Sequence, residues 1–232
     1  MVGYKVFASG NLNISDRVKF LGGTYGCSNV NVGANANVKG ELRVKNNAEL
    51  RSNSYTEKLV VGGNVNKQQG ARVGTLTRQT PSLPSLTQKN VSYGSSNIVV
   101  GNNTTKVLQP GTYKQLHVFS GANVSFEGGE YRFESFVIEP DVRLTFKNSS
   151  TPVRIWVQGN LNFGDRTQVS SSSTNSKLFI YTNAYNIYMG VTSSMHAILV
   201  APKASINIAS GYTFSGQIWA KEITIQPDAT IK

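Results

Sequence analysis

Side chains able to do acid–base, nucleophilic or metal chemistry are few and scattered through the 232 residues. Paired carboxylates can cleave glycosidic bonds as acid, base or nucleophile. The densest acidic group here is Glu127, Glu130, Glu134, Glu139 and Asp141, with Glu130 and Glu134 flanking an outward Arg132. These read as solvated strand edges and corners. Asp16-Arg17 and Asp165-Arg166 each follow a short apolar alternation and read as turn residues, the aspartate closing an Asx-type turn. The only histidines, His117 and His196, sit in strands without a second ligand at metal-binding spacing. Single Cys27 excludes an intrachain disulfide and a cysteine zinc site, and reads as a small buried residue. Gly22-Gly23, Gly62-Gly63 and Gly128-Gly129 are isolated pairs suited to corners, and no Gly-x-Ser-x-Gly elbow occurs. The expectation is no catalytic residues, no metal and no cofactor.

The elements holding these residues are set by periodicity. Val30-Asn-Val32, Ala36-Asn-Val38, Leu42-Arg-Val44 and Ala48-Glu-Leu50 repeat an apolar–polar–apolar triplet every six residues. Alternation sends two side chains of each triplet inward and one outward, as in a strand. Gly33, Gly40 and Asn46-Asn47 fall between triplets, where corners need tolerant backbones. Longer coils follow, aligned as Arg154-Ile-Trp-Val-Gln158, Lys177-Leu-Phe-Ile-Tyr181, His196-Ala-Ile-Leu-Val200 and Gln217-Ile-Trp-Ala-Lys221. A second short strand follows each, such as Ile206-Asn-Ile208. The fold class is therefore all-β: a parallel β-helix (β-solenoid) of about ten coils, expected to be right-handed.

The pattern lapses over 75–96, where Pro81 and Pro84 cannot donate to a ladder. This reads as an excursion within one solenoid domain spanning 1–232, with short coils in 1–74 and longer ones in 97–232. Ser170 to Ser173 reads as another surface loop.

Inward Ile155/Val157, Leu178/Ile180, Ala197/Leu199 and Ile218/Ala220 turn Trp156, Phe179, Ile198 and Trp219 outward in one column. One expectation is that this column is covered, by the 75–96 excursion, by an N-terminal helix or by a partner subunit. The other is that it contacts a ligand, an aromatic strip stacking on pyranose faces. The ligand-binding residues would then be Trp156, Phe179, Tyr181, Tyr185, Tyr188, Tyr212 and Trp219.

Asn, Ser, Thr and Gly supply 88 residues against 35 charged ones, usage typical of β proteins outside cells. The net charge of +11 concentrates in residues 1–78, which hold 11 Lys and Arg and 4 acids. Lys39, Lys45 and Arg51 recur at one hexad position but fall on different sides if three hexads make a coil. Without a finger, helix-turn-helix or RNP-like pattern, nucleic acid is not an expected partner. No stretch is long and apolar enough to span a membrane, and no signal peptide opens the chain, so a trimmed sequence is expected.

Leu108-Gln-Pro-Gly-Thr-Tyr113, Gly128-Gly-Glu-Tyr131, Pro152-Val-Arg-Ile-Trp-Val-Gln-Gly-Asn-Leu161, Ala201-Pro-Lys-Ala-Ser-Ile206 and Phe214 to Ile225 resemble the extracellular domain of type IV pilus assembly proteins. Phe7-Ala-Ser-Gly-Asn-Leu-Asn-Ile14 and the Pro81/Pro84 loop are similar to the arrangement in choice-of-anchor-type bacterial surface proteins. A more distant similarity, of architecture and aromatic display, is to the tāpirin cellulose adhesins. Residues 30–50 also resemble bactofilins. The resemblance implies an extracellular or cell-surface protein whose N-terminal anchor is missing from this sequence, without a catalytic set. The expected function is a non-enzymatic adhesin or pilus-associated module binding an insoluble polysaccharide such as cellulose. The alternatives are a structural pilus or envelope component contacting protein, and a β-helix polysaccharide lyase or hydrolase.

Overall fold

The computed structural model describes residues 3–147, 151–171 and 178–232. Every element among them is a strand, and every strand pairing is parallel, in a β-solenoid of about eleven coils. Val30, Val32, Ala36, Val38, Leu42, Val44, Ala48 and Leu50 are all buried. Val30 pairs with Ala48, eighteen residues on, so three hexads make one coil and each triplet one side of a triangle. Lys39, Lys45 and Arg51 accordingly lie on different sides. In the longer coils Ile155, Val157, Leu178, Ile180, Leu199 and Ile218 fill the same interior.

The coils do not stack in chain order. Tyr4–Ile14 lies between Lys19–Val32 on one side and Thr213–Ile225 on the other. Phe7 pairs with Trp219, and Lys19 and Phe20 pair with Thr230 and Ile231. The chain thus starts in the middle of the stack and climbs to Arg72–Arg78 at one end. It restarts at the other end with Asn97–Val100 and climbs back until its last coil meets its first. The two halves form one continuous core because each leaves an unpaired edge and an apolar coil face at the junction, and each covers the other's.

One corner records this order. Each coil turns there through a residue with positive φ: in spatial order Asn103, Gly121, Asp141, Arg166, Thr192, Gly211, Asp228, Arg17, Asn35, Asn53 and Gly70. The N–H of each of the first ten donates to the carbonyl one position before the corresponding residue of the next coil, at 2.8–3.3 Å. Across the junction, Asp228 N–H bonds to the Asp16 carbonyl. Asp16 and Asp165 lie in turns as expected, but their carboxylates bond across to the next coil rather than closing Asx-type turns: that of Asp16 accepts from Ala34 N–H and that of Asp165 from Val191 N–H. Their neighbours do more, Arg17 clasping Asp228 through two 2.8 Å hydrogen bonds and Arg166 clasping Asp141 through two of 2.6 Å.

The last coil of the first half runs to Arg78, which leaves 79–96 as a strap without strands. Gln79 N–H still bonds to Val61 O, and Gly94 N–H bonds to Tyr113 O. Between these anchors the outward column steps through ten paired rungs from Thr77 to Thr112. Ten rungs at roughly 4.8 Å are about 48 Å, and fifteen residues reach only about 50 Å when fully extended. The strap is therefore stretched straight along the stack axis, a conformation that Pro81 and Pro84 favour. Elsewhere, Gln168–Ser171 is a strand paired with Arg143–Phe146, where a loop was expected; buried Val169 anchors it. Ser172 and Ser173 lie outside the described residues.

Candidate functional site

The strap determines what the aromatic column can do. The column itself is real, with the expected phase, but its register along the strands differs from the sequence alignment. Trp156 pairs with Tyr181, Tyr181 with Val200, Val200 with Trp219, and Trp219 with Phe7. Phe179 and Ile198 pair with each other in the neighbouring outward column, opposite Arg154 and Gln217. A shift of two residues keeps every side chain on its face, so the alternation that fixed the phase was blind to it. Lys177 lies outside the described residues.

Along this column the strap builds a second apolar cluster. Leu83, Leu86 and buried Val91 pack with Tyr4, Phe7, Tyr181, Val200 and Trp219, with Trp156, Phe179 and Ile198 at its margin. Trp219 is 3% exposed, its Nε1–H donating to the Tyr4 carbonyl and its ring tilted against Phe7 at 5.4 Å. Tyr181 is 2% exposed; its hydroxyl accepts from Lys89 N–H, and burial raises its pKa. Asn183 Nδ2 bridges Lys89 O at 2.8 Å and Gln158 Oε1 at 2.9 Å, and Gln158 Oε1 also accepts from Val91 N–H. Half-buried Trp156 carries Lys89 and Arg132 near its ring at 5.8 and 6.0 Å.

An open tryptophan strip is thus absent, and of the two expectations it is the covered one that the geometry matches, the strap being the cover. Tyr212 is 1% exposed at the inner side of the corner ladder, part of the main core. Of the seven expected ligand residues, only Tyr185 and Tyr188 are exposed, at 68% and 39%. Lys203 Nζ lies 5.3 Å from the Tyr185 ring centre, and the Tyr188 hydroxyl donates to Asp165 at 3.1 Å, which fixes that ring.

These two tyrosines belong to another side of the triangle, which the strap leaves bare. Outward from the coils after Tyr188 come Asn207, Thr224, Asn13, Asn31, Glu49 and Asn66, paired rung by rung across the chain junction. Beside them, Asn29 Nδ2 donates to Asn11 Oδ1, while Asn29 and Asn47 accept through Oδ1 from the N–H groups of Asn47 and Asn64. That inner ladder satisfies corner backbone, a structural use of amides. In the outer column Asn13 and Asn66 are exposed, Asn207 accepts through Oδ1 from Gln226 Nε2 at 3.2 Å, and Asn31 is half-buried, its Oδ1 shielded from solvent without a hydrogen-bond partner. Two adjoining grooves, of about 250 and 320 Å³, open on this face and share Asn13 and Asn31. Asn11, Asn29, Glu49 and Asn66 line the first; Asp16, Arg51 and Gln226 line the second.

These asparagines were missed because each reads as a generic outward residue. Their signal was present: Asn11, Asn29 and Asn47, and Asn13 and Asn31, recur at the eighteen-residue coil length.

The acidic group is dispersed into pairs. Glu127 meets Lys147, Glu130 meets Arg132, Glu134 accepts from Tyr93, and Glu139 accepts from Ser120 and meets His117 at 2.9 Å. Arg166 holds the Asp141 carboxyl below the usual carboxylate range. His196 Nδ1 contacts Ser215 Oγ at 3.0 Å. No group of three or more His, Cys, Asp or Glu side chains suited to a metal ion occurs among the described residues, and they form no helix long and apolar enough to cross a membrane.

Residues 134–232 match a family profile described as Domain of unknown function (DUF7305). The match covers the coils that carry Trp156, Tyr181, Tyr188, Asn207 and Trp219. Searches of curated proteins and of solved structures returned no match.

Proposed function

We propose that the protein is a non-enzymatic module that holds a neutral, insoluble polysaccharide such as cellulose along its asparagine-lined face. The supporting observation is the pair of adjoining grooves that share Asn13 and Asn31, on a column running from Tyr188 to Asn66 with one charged member, Glu49. A carboxamide offers two donors and an acceptor, the complement of a sugar hydroxyl. Strand backbone fixes these amides at intervals of roughly 4.8 Å, so little conformational entropy is lost on binding. Each contact is weak, and retention grows with the number of coils engaged on one polymer. Exposed Tyr185 and Tyr188 supply aromatic surface at one end of the column for pyranose stacking.

The setting we propose is extracellular, at a bacterial surface or pilus, on the strength of the sequence resemblance and the Asn/Ser/Thr-rich composition. A structural role contacting pilus or envelope protein would need a surface other than the aromatic column, which the strap occupies. A lyase or hydrolase has less support, because the clustered acids are each tied to a basic, hydroxyl or histidine partner. The test is sedimentation with microcrystalline cellulose, chitin and an inert mineral, at low and high salt. Retention on a polysaccharide that survives high salt is the expected result. No retention, or retention erased by salt, overturns the reading in favour of a charge-driven or protein-contact role.

A further inference from the structure

A solenoid in which every rung repeats the last has an assembly problem at its ends. The outer edges of Arg72–Arg78 at one end and of Asn97–Val100 and Thr105–Leu108 at the other pair with no further strand among the described residues. Because all pairing is parallel and in register, the lower end of one molecule is the geometric continuation of the upper end of another. Such a head-to-tail contact does not close on itself and would propagate as a filament.

The inward columns show how the two end coils differ from the rest. One column is Val, Ile, Leu, Phe or Met through ten coils, from Val100 to Leu50, and then holds Lys67. A second is apolar but for Thr56 from Val124 to Val73, and holds Lys106 in the opposite end coil. A third passes through Ala8, Cys27, Val44 and Val61 before it reaches Arg78. All three cations are exposed, and the Arg78 guanidinium donates to the Gly63 carbonyl over the open end. Neither end coil, 64–78 or 97–110, contains an acid. Stacked head to tail, Lys106 would land on Val73 beside Arg72, and Lys67 on Val100. Each charge would be buried without a counterion.

We propose that Lys67 and Arg78 at one end and Lys106 at the other are end blocks, which keep a second copy of this chain from stacking on the solenoid. The inference is independent of any glycan reading. Its test is the size of the full chain in solution, by light scattering across a concentration series at low and high salt.

Wild type is expected to stay monomeric. K106L puts an apolar side chain on Val73 of the next copy and is expected to give measurable head-to-tail association, weaker than that of the variant that changes all three positions because Lys67 and Arg78 remain. The triple variant K67L/R78V/K106L is expected to give salt-resistant oligomers. The control K39L, which makes the same change on the side of the stack, is expected to remain monomeric.

Association of wild type as strong as that of the variants would overturn the proposal. So would monomeric K106L with a native circular dichroism spectrum, or equal association by K39L. Lys106 is exposed, so K106L decides the matter even if the triple variant does not fold.

Discussion

The strapped side and the bare side of this solenoid are made by the same strand repeat, yet they use their outward residues in opposite ways. On one, Trp156, Tyr181, Val200, Trp219 and Phe7 form an apolar ridge that 79–96 covers with Leu83, Leu86 and Val91. On the other, Tyr188, Asn207, Thr224, Asn13 and Asn31 meet no covering segment. The difference teaches that aromatic display in a solenoid sequence does not by itself mark a ligand surface. An outward aromatic column is also what a long return segment needs as its track, because ten rungs of travel must be held by side-chain burial where no ladder is available.

The contrast can be broken most forcefully at Trp219. As a buried core group, Trp219→Ala is expected to cost about 3–5 kcal/mol of stability. Asn13→Ala and Asn31→Ala, on the bare side, are expected to stay within about 0.5 kcal/mol of wild type. Urea unfolding of the three variants measures both, and equal losses would abolish the distinction between the sides.

A smaller effect is expected from loosening the strap alone. Changing Leu83 and Leu86 together to serine removes partly buried apolar surface worth about 1–2 kcal/mol in all. Amide exchange should then accelerate in 80–93, where the strap makes side-chain rather than ladder contacts, and stay slow in the coils.

Alkaline titration separates buried from bare chemistry. Burial pushes the Tyr25 hydroxyl up to about 12, and the hydroxyls of Tyr131, Tyr181 and Tyr212 are also raised by burial. A raised folded-state pKa contributes stability that is complete below the unfolded tyrosine value of about 10 and is lost as pH climbs through the folded value. Stability should therefore fall between those two pH values for Tyr25 and its companions, while glycan retention by neutral amides stays level between neutrality and the onset of that fall. Parallel unfolding and retention curves against pH check this.

Thr192 offers the smallest change. It is a β-branched residue at φ 53° in the corner ladder, a place taken elsewhere by Asn, Asp, Arg or Gly. Thr192→Asn is expected to raise stability by up to about 1 kcal/mol, read as a higher unfolding midpoint.

Much of this architecture was legible in the sequence. The triplets from Val30 to Leu50 gave the triangular coil because a corner every six residues leaves room for only two inward side chains per side. Inward Ile155/Val157 and Ile218/Ala220 likewise fixed which side of the sheet the tryptophans occupy, and Pro81 and Pro84 marked the strap. What stayed illegible was long-range. Repeats that all bury similar side chains carry no mark of which coil neighbours which, so the contact of Phe7 with Trp219 could not be foreseen. Register escaped for a related reason: Trp156 fits opposite Phe179 or Tyr181 with the same face outward. The candidate site was legible only in part. Exposed Tyr188 was named among the aromatics, whereas Asn13 and Asn31 become visible only once eighteen residues are known to be a full turn.

The central claim, that the asparagine column rather than the aromatic column holds the polysaccharide, is tested most directly by sedimenting two folded variants with microcrystalline cellulose beside wild type. The double change Asn13→Ala with Asn31→Ala is predicted to lose most of the retention, about tenfold or more in affinity if each amide contributes a typical hydrogen bond. Trp156→Phe, which keeps the strap packed, is predicted to retain the polymer as wild type does. Full retention by the asparagine variant together with loss in Trp156→Phe would contradict the account and return the ligand to the aromatic column.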